Sequence, residues 1–180
     1  YNGPFEDFLL SVERLNVPTD DNIEEVLDEL ERLLSTGEVA AFVYEPLVQG
    51  AAAMHMYKAE HLDRLLALTQ TYGTLNIADE VMTGFGKTGT VFASDQVSHA
   101  PDIICLSKSL TAGVAPMALT CCTEMIYLAF YDNELAKGFF HGHTYSANPL
   151  ACTAALAGLD LLLSAEIQEA IQRIHKRHVE

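Results

Sequence analysis

Helical and strand patterns alternate along the chain, and this alternation restricts its fold more than any other feature. Residues 22–35 carry apolar side chains at helical spacing, whereas residues 39–44 form a short apolar run with β-branched and aromatic members. Further helices are predicted over residues 60–72, 124–136, 149–164 and 167–178, and further strands over residues 74–78, 102–106 and 117–122. This order predicts an α/β protein in which a mostly parallel sheet lies between two helical layers, a three-layer α/β/α fold.

Local signals predict where several of these helices begin and end. Thr19-Asp20-Asp21 precedes the first helix and can supply its N-cap. Gly73 follows the second helix at the position of a C-cap. Pro149 stands at the first position of a later helix, where its missing N–H costs nothing.

The composition disfavours several classes of protein. With 49% hydrophobic and 19% charged residues, the 180-residue chain is typical of one globular domain. Its formal net charge of −15 disfavours binding to nucleic acid or to an anionic membrane surface. No apolar run reaches the ~20 residues that span a bilayer, and no signal peptide is visible, so we expect a cytoplasmic protein. The four cysteines include no CxxC pair and are interpreted as buried free thiols.

Polar residues directly follow three of the predicted strands. Glu45 follows the first strand, Asp79 and Glu80 end the second, and Lys108 comes just after the third. In parallel α/β sheets, ligands bind beyond the carboxyl ends of the strands. These residues are therefore predicted to share one site.

Lys108 and Asp79 suggest a specific chemistry for that site. A lysine amine attacks aldehydes only when it is neutral, which a partly desolvated or cation-adjacent pocket favours. A carboxylate such as Asp79 can keep a heteroaromatic nitrogen protonated, which turns the ring into an electron sink. Each residue alone could instead be structural, as a surface lysine or as a cap of the next segment. Their separation of 29 residues is about one βαβ unit, which can place them on neighbouring strands.

Two other motifs point to different functions. Gly86-Lys87-Thr88 resembles part of a phosphate loop, but Val81 stands where that loop needs glycine, which disfavours an NTPase. His141 and His143 could ligate a metal, although two histidines without a further cluster are a weak signal. In the same loop, the hydroxyl of Thr144 and nearby backbone donors would suit a phosphate.

Three groups of motifs occur in a fixed order along residues 39–163. They are Ile77-Ala-Asp-Glu-Val with Gly84-Phe-Gly-Lys-Thr-Gly, then Pro101-Asp-Ile-Ile-Cys-Leu-Ser-Lys-Ser-Leu, then His141-Gly-His-Thr-Tyr with Asn148-Pro-Leu-Ala. In order and spacing they resemble the class III (ornithine/ω-type) aminotransferases of fold type I. The resemblance implies an enzyme that uses pyridoxal 5'-phosphate.

The resemblance also implies roles for individual residues. Lys108 would be the catalytic lysine, which holds the cofactor as a Schiff base and then moves a proton at the substrate α-carbon. Asp79 would pair with the pyridinium nitrogen, and Val81 would lie against the ring face. Gln49 would pack close to the ring, with Glu45 beside it.

By the same resemblance, Thr144 would bind the cofactor phosphate of a neighbouring subunit, so a homodimer is expected. The chain starts at Tyr1 and stops within a helix-like stretch, which indicates a piece of a longer protein. Residues 1–164 would form the central part of the cofactor-binding large domain. Residues 165–180 would begin the connection to a further C-terminal domain.

Within the family, two stretches are most similar to members that act in biotin synthesis. They are Glu45-Pro-Leu-Val-Gln-Gly-Ala, followed by Met54-His-Met-Tyr, and Asn148-Pro-Leu-Ala-Cys. This similarity implies S-adenosylmethionine as the amino donor and 7-keto-8-aminopelargonate as the acceptor. An ω-amino acid or diamine transaminase and an inactive cofactor-binding fragment remain alternatives. Lys87 departs from the family, which usually has arginine there and so a planar, bidentate group.

Overall fold

The computed structural model describes residues 10–179, which contain five α-helices and six strands. The helices are α1 (Ile23–Leu34), α2 (Ala59–Thr71), α3 (Glu124–Phe130), α4 (Pro149–Leu162) and α5 (Ala165–Val179). The strands are β1 (Ala41–Tyr44), β2 (Val48–Gln49), β3 (His55–Met56), β4 (Leu75–Asp79), β5 (Ile103–Leu106) and β6 (Leu119–Cys122).

Four of these strands form one mixed sheet in the order β1-β4-β5-β6. β1 and β4 are parallel, as are β4 and β5, so the predicted parallel pairing is confirmed for three strands. β6 runs antiparallel to β5, with Ile104 opposite Cys121. The connection from β5 to β6 contains no helix. A parallel crossover usually needs one, so the chain returns along the edge of the sheet instead.

Helices α1 and α2 build the hydrophobic core on one face of the sheet. Leu62 and Leu66 of α2 are fully buried against Tyr44 of β1 and Ala78 of β4. α1 packs on α2, where its Leu30 joins a second buried cluster. Burying a leucine stabilises the fold by roughly 1.5–3 kcal/mol. This packing fixes β1 and β4, and with them the residues that follow both strands.

The ends of the helices follow the sequence signals in part. Gly73 has a left-handed backbone with φ of +69° and follows the end of α2, as predicted. Pro149 is the first residue of α4, and the Asn148 side chain accepts hydrogen bonds from the first turn. Asn22 is the N-cap residue of α1, but its side chain makes no capping hydrogen bond. Its Oδ1 instead accepts a hydrogen bond from the Thr19 N–H at 2.6 Å. The predicted cap of α1 was therefore wrong, although its start was right.

Two further predictions are corrected by the structure. The helix predicted over residues 124–136 ends at Phe130. The Asp132 side chain accepts a hydrogen bond from the Glu134 N–H, which forms a turn just after the helix. The cysteines are free as predicted, but none is fully buried: Cys105 and Cys152 are half-buried, and Cys121 and Cys122 are exposed. The two exposed cysteines belong to β6, which pairs only with β5 among the described strands and so lies at the edge of the sheet.

Over residues 10–179, no single helix is both long and apolar enough to cross a membrane. α4 and α5 reach that length and composition only together, across a bend of 67°.

Candidate active site

The carboxyl ends of β4 and β5 bring Asp79 and Lys108 to the same edge of the sheet. Asp79 is the last residue of β4 and lies opposite Cys105 in the parallel ladder. The Glu80 N–H donates to the Cys105 carbonyl at 2.9 Å, which extends this pairing by one residue. Lys108 follows Cys105 by three residues, or about 10 Å of extended chain. The acid and the amine therefore leave adjacent strands at the same end.

The Asp79 carboxylate is held on one oxygen only. Its Oδ1 accepts a hydrogen bond from the Val81 N–H at 3.0 Å. Among the residues that the structure describes, Asp79 has no ion-pair partner and no other hydrogen-bond donor to its side chain. This arrangement orients the carboxylate and leaves it able to accept a proton donor such as a pyridinium N–H, so it fits the predicted cofactor.

Lys108 is exposed and has another lysine nearby. Desolvation, and then the positive charge of Lys108, lower the pKa of Lys87. Within residues 10–179, neither lysine forms a salt bridge. The sequence argument favoured a partly desolvated or cation-adjacent pocket for the catalytic lysine, and that expectation stays a prediction.

The segment after β1 packs against the segment after β4. Glu45 Oε2 accepts from the Gly50 N–H at 2.8 Å, and the Tyr57 hydroxyl donates to the Glu45 carbonyl at 2.6 Å. A Cβ added at Gly50 would lie 3.1 Å from Met82, which follows Val81. These contacts bring the segments of Glu45 and Val81 together.

Gln49 belongs to a short hairpin that was not predicted. It is half-buried in β2 and pairs with His55 of β3. Two-residue strands are too short to show an alternating pattern, so sequence periodicity could not reveal them. Gln49 directly precedes Gly50, the residue that lies against Met82, so the hairpin brings Gln49 close to the segment after β4.

Each loop that follows a parallel strand contains a non-glycine residue with a left-handed backbone. They are Leu47 after β1, Phe85 after β4 and Ala112 after β5, with φ of 66°, 66° and 52°. Such residues cost of order 1–3 kcal/mol each and tend to cluster at functional sites. Three more such residues, Ala53, Met54 and Ala147, lie in other turns, so this backbone feature does not by itself distinguish the edge.

Thr144 lies in the loop that precedes α4. It is exposed, in a loop held by hydrogen bonds from the His143 N–H to Ser146 and from the Tyr145 N–H to the His143 ring. Among the described residues, no hydrogen bond joins the Thr144 side chain to Asp79 or Lys108. Nor does any group of three or more His, Cys, Asp or Glu side chains in residues 10–179 have the placement of a metal site.

Glu80 is the residue whose part in the site the sequence reasoning missed. It was grouped with Asp79 at the strand end but was given no role. The side chain is fully buried and accepts three hydrogen bonds. Its sequence signal was an acidic residue next to an apolar strand, which does not reveal partners 13 and 14 residues away.

Comparison with known proteins agrees with the fold and the motifs. The sequence matches the family described as Aminotransferase class-III over residues 1–180. The adenosylmethionine-8-amino-7-oxononanoate aminotransferase of Synechococcus elongatus is 46% identical over 184 residues, which cover 97% of this chain and 43% of that protein.

Solved structures give the same result. The adenosylmethionine-8-amino-7-oxononanoate aminotransferase of Methanocaldococcus jannaschii has a TM-score of 0.83 and 34% identity, over 98% of this chain and 40% of that one. An (S)-enantioselective ω-transaminase of Thermomicrobium roseum has a TM-score of 0.74 and 37% identity, over 84% and 34% of the two chains. The predicted fold class is thus confirmed. The chain spans less than half the length of these relatives, and it belongs to the class-III aminotransferase family.

Proposed function

We propose that this chain carries the catalytic lysine of a pyridoxal 5'-phosphate-dependent transaminase. The observation that supports this most strongly is the placement of Asp79 and Lys108 at the same ends of two adjacent parallel strands. Asp79 carries a carboxylate with only one hydrogen-bond donor, and Lys108 carries an amine without a salt bridge, among the residues described. These are the two groups that the cofactor requires of its protein.

When bound, pyridoxal phosphate supplies a protonated heteroaromatic ring that withdraws electrons from the substrate. Asp79 would keep the ring nitrogen protonated. Lys108 would hold the cofactor through its amine and would carry a proton to and from the substrate α-carbon. Val81, whose N–H orients Asp79, would lie against the ring face.

The proposal includes three further residues around the cofactor. Gln49 and Glu45 would lie beside the ring, since their segment packs on Met82. Thr144 would bind the phosphate of a second subunit's cofactor, which agrees with its exposed position. The homodimer and the cytoplasmic location stay predictions.

For the substrates, we propose S-adenosylmethionine as donor and 7-keto-8-aminopelargonate as acceptor. The relatives from Synechococcus elongatus and Methanocaldococcus jannaschii are both adenosylmethionine-8-amino-7-oxononanoate aminotransferases, which supports this choice. An ω-amino acid or diamine transaminase is the second candidate, favoured by the likeness to the Thermomicrobium roseum enzyme. For a chain that spans 43% of a relative, an inactive cofactor-binding piece is the third.

We further propose the domain division at residue 164. α4 ends at Leu162 and α5 begins at Ala165, after a bend of 67° between the two helices. The bend supports a change of direction where the connection to a C-terminal domain was predicted.

The role of Lys108 can be tested in the full-length protein with two lysine variants. Lys108→Ala should lose the absorption band of the lysine-bound cofactor and the transaminase activity. Lys137→Ala is the matched control, because Lys137 forms a surface salt bridge with Asp132 at 2.6 Å. The control should keep both properties. A band that persists in Lys108→Ala would show that another residue binds the cofactor.

A donor screen separates the candidate substrates. The full-length enzyme should accept S-adenosylmethionine as donor with 7-keto-8-aminopelargonate as acceptor. Activity with a simple diamine but none with S-adenosylmethionine would favour the second candidate. Comparing the 180-residue chain with the full-length protein in the same assay decides the third.

A further inference from the structure

Glu80 is a buried carboxylate that is satisfied entirely by hydrogen-bond donors. Its side chain is 0% exposed. Oε2 accepts from the Thr83 hydroxyl at 2.7 Å and from the Ala93 N–H at 3.0 Å, while Oε1 accepts from the Ser94 N–H at 2.7 Å. No lysine, arginine or histidine of residues 10–179 pairs with it. Burying a carboxylate costs free energy unless hydrogen-bond donors surround it, so the three donors are needed to stabilise Glu80 in this position.

These hydrogen bonds close a long loop. Ala93 and Ser94 begin a 3₁₀ turn (Ala93–Gln96), whose first N–H groups have no partners within the turn. By binding them, Glu80 joins the start of the segment 80–94 to its end. A second tie lies inside the loop, where the N–H groups of Phe85 and Gly86 donate to the Val91 carbonyl at 2.7 and 3.0 Å.

The backbone of Glu80 is held as firmly as its side chain. Its N–H donates to Cys105 of β5 at 2.9 Å, and its carbonyl accepts from the Gly84 N–H at 3.0 Å. The turn over residues 80–84 is therefore fixed from both sides. Val81 lies in this turn, and its N–H is the donor that orients Asp79.

We infer that Glu80 is a positioning residue of the site, an inference that rests on the proposed function. It does not touch the cofactor. It holds the 80–94 loop so that the Val81 N–H aims the Asp79 carboxylate at the ring nitrogen.

The test uses Glu80→Gln in the full-length protein. Glutamine has nearly the same shape but only one acceptor oxygen, so at least one N–H of the loop would face an amide NH₂ group. In the cofactor-free protein, amide hydrogen exchange of residues 81–94 should become faster. In the loaded protein, the dissociation constant for pyridoxal phosphate should rise and kcat should fall roughly 10- to 100-fold, as for a displaced catalytic group.

Thr69→Val is the matched control for lost stability. Thr69 is also fully buried, and its hydroxyl lies 2.8 Å from the Leu66 carbonyl and 2.7 Å from Asn76 Oδ1, with no hydrogen bond to residues 81–94. This variant should lower the melting temperature but keep normal exchange in residues 81–94, normal cofactor binding and normal kcat. If Glu80→Gln behaves like Thr69→Val in all of these measurements, Glu80 is merely structural and the inference is overturned.

A milder variant keeps the test decisive if Glu80→Gln does not fold. Thr83→Val removes one of the three donors and leaves the two backbone N–H groups in place. It should change exchange, cofactor affinity and kcat in the same directions by smaller factors, and wild-type values would overturn the inference. Failure of the proposed function is distinguishable, since it would appear as normal cofactor behaviour in Lys108→Ala.

Discussion

Alanine at Gly86 should weaken the contact between α5 and the glycine loop of residues 84–89, whereas alanine at Gly89 should not. Both glycines have left-handed backbones, with φ of +90° and +97°. A Cβ at Gly86 would lie 2.8 Å from Ile171 Cδ1, which is closer than real contacts allow. The nearest atom to a Cβ at Gly89 would be His175 Nδ1, at 3.9 Å.

The two variants therefore share one cost and differ in another. A left-handed alanine costs about 1–2 kcal/mol at either position. At Gly86, overpacking against Ile171 adds about 1–3 kcal/mol, at the lower end because the Ile171 methyl can rotate away. We expect Gly89→Ala to lower the free energy of unfolding by about 1–2 kcal/mol and Gly86→Ala by about 2–4 kcal/mol.

Urea unfolding of the full-length protein measures this difference, and a double-mutant cycle identifies its cause. Ile171→Ala should cancel most of the extra loss in Gly86→Ala but none of the loss in Gly89→Ala. Equal losses in the two glycine variants, or no relief by Ile171→Ala, would refute the packing of α5 on this loop.

Three further changes test other parts of the structure. Asp79→Asn should lower the transamination rate by several orders of magnitude while cofactor still binds, and normal turnover would contradict the role of Asp79. Asn148→Ala should destabilise the protein by about 1 kcal/mol in urea unfolding, because it removes the oxygen that accepts from the Leu150 N–H at 3.0 Å. Burial alone would raise the pKa of Asp63, but hydrogen bonds from the His99 ring and from backbone N–H groups outweigh it and lower that pKa. The stability that Asp63 contributes should thus be present above its unfolded pKa and vanish as pH falls through the folded pKa, so Asp63→Asn and wild type should converge in acid unfolding.

Much of the fold followed from short-range patterns. The apolar spacing of α1 and α2 and the position of Pro149 indicated helices whose ends the structure confirms to within a few residues. The strand ends at Asp79 and near Lys108 were likewise readable, because a short apolar run between polar residues is a local signal. α3 was overestimated because the turn made by Asp132 outweighs the helical pattern.

Sequence by itself determined the longer helices and the strands of the main sheet, because apolar periodicity acts over a few neighbours, and its motifs indicated the two residues that carry the proposed chemistry. Tertiary structure alone decided that β6 runs antiparallel, that Glu80 closes the 80–94 loop, and that α5 packs beside Gly86. These features depend on contacts between residues far apart in the chain. The energy of such a contact depends on which groups the folded backbone brings together, and no local pattern encodes that choice.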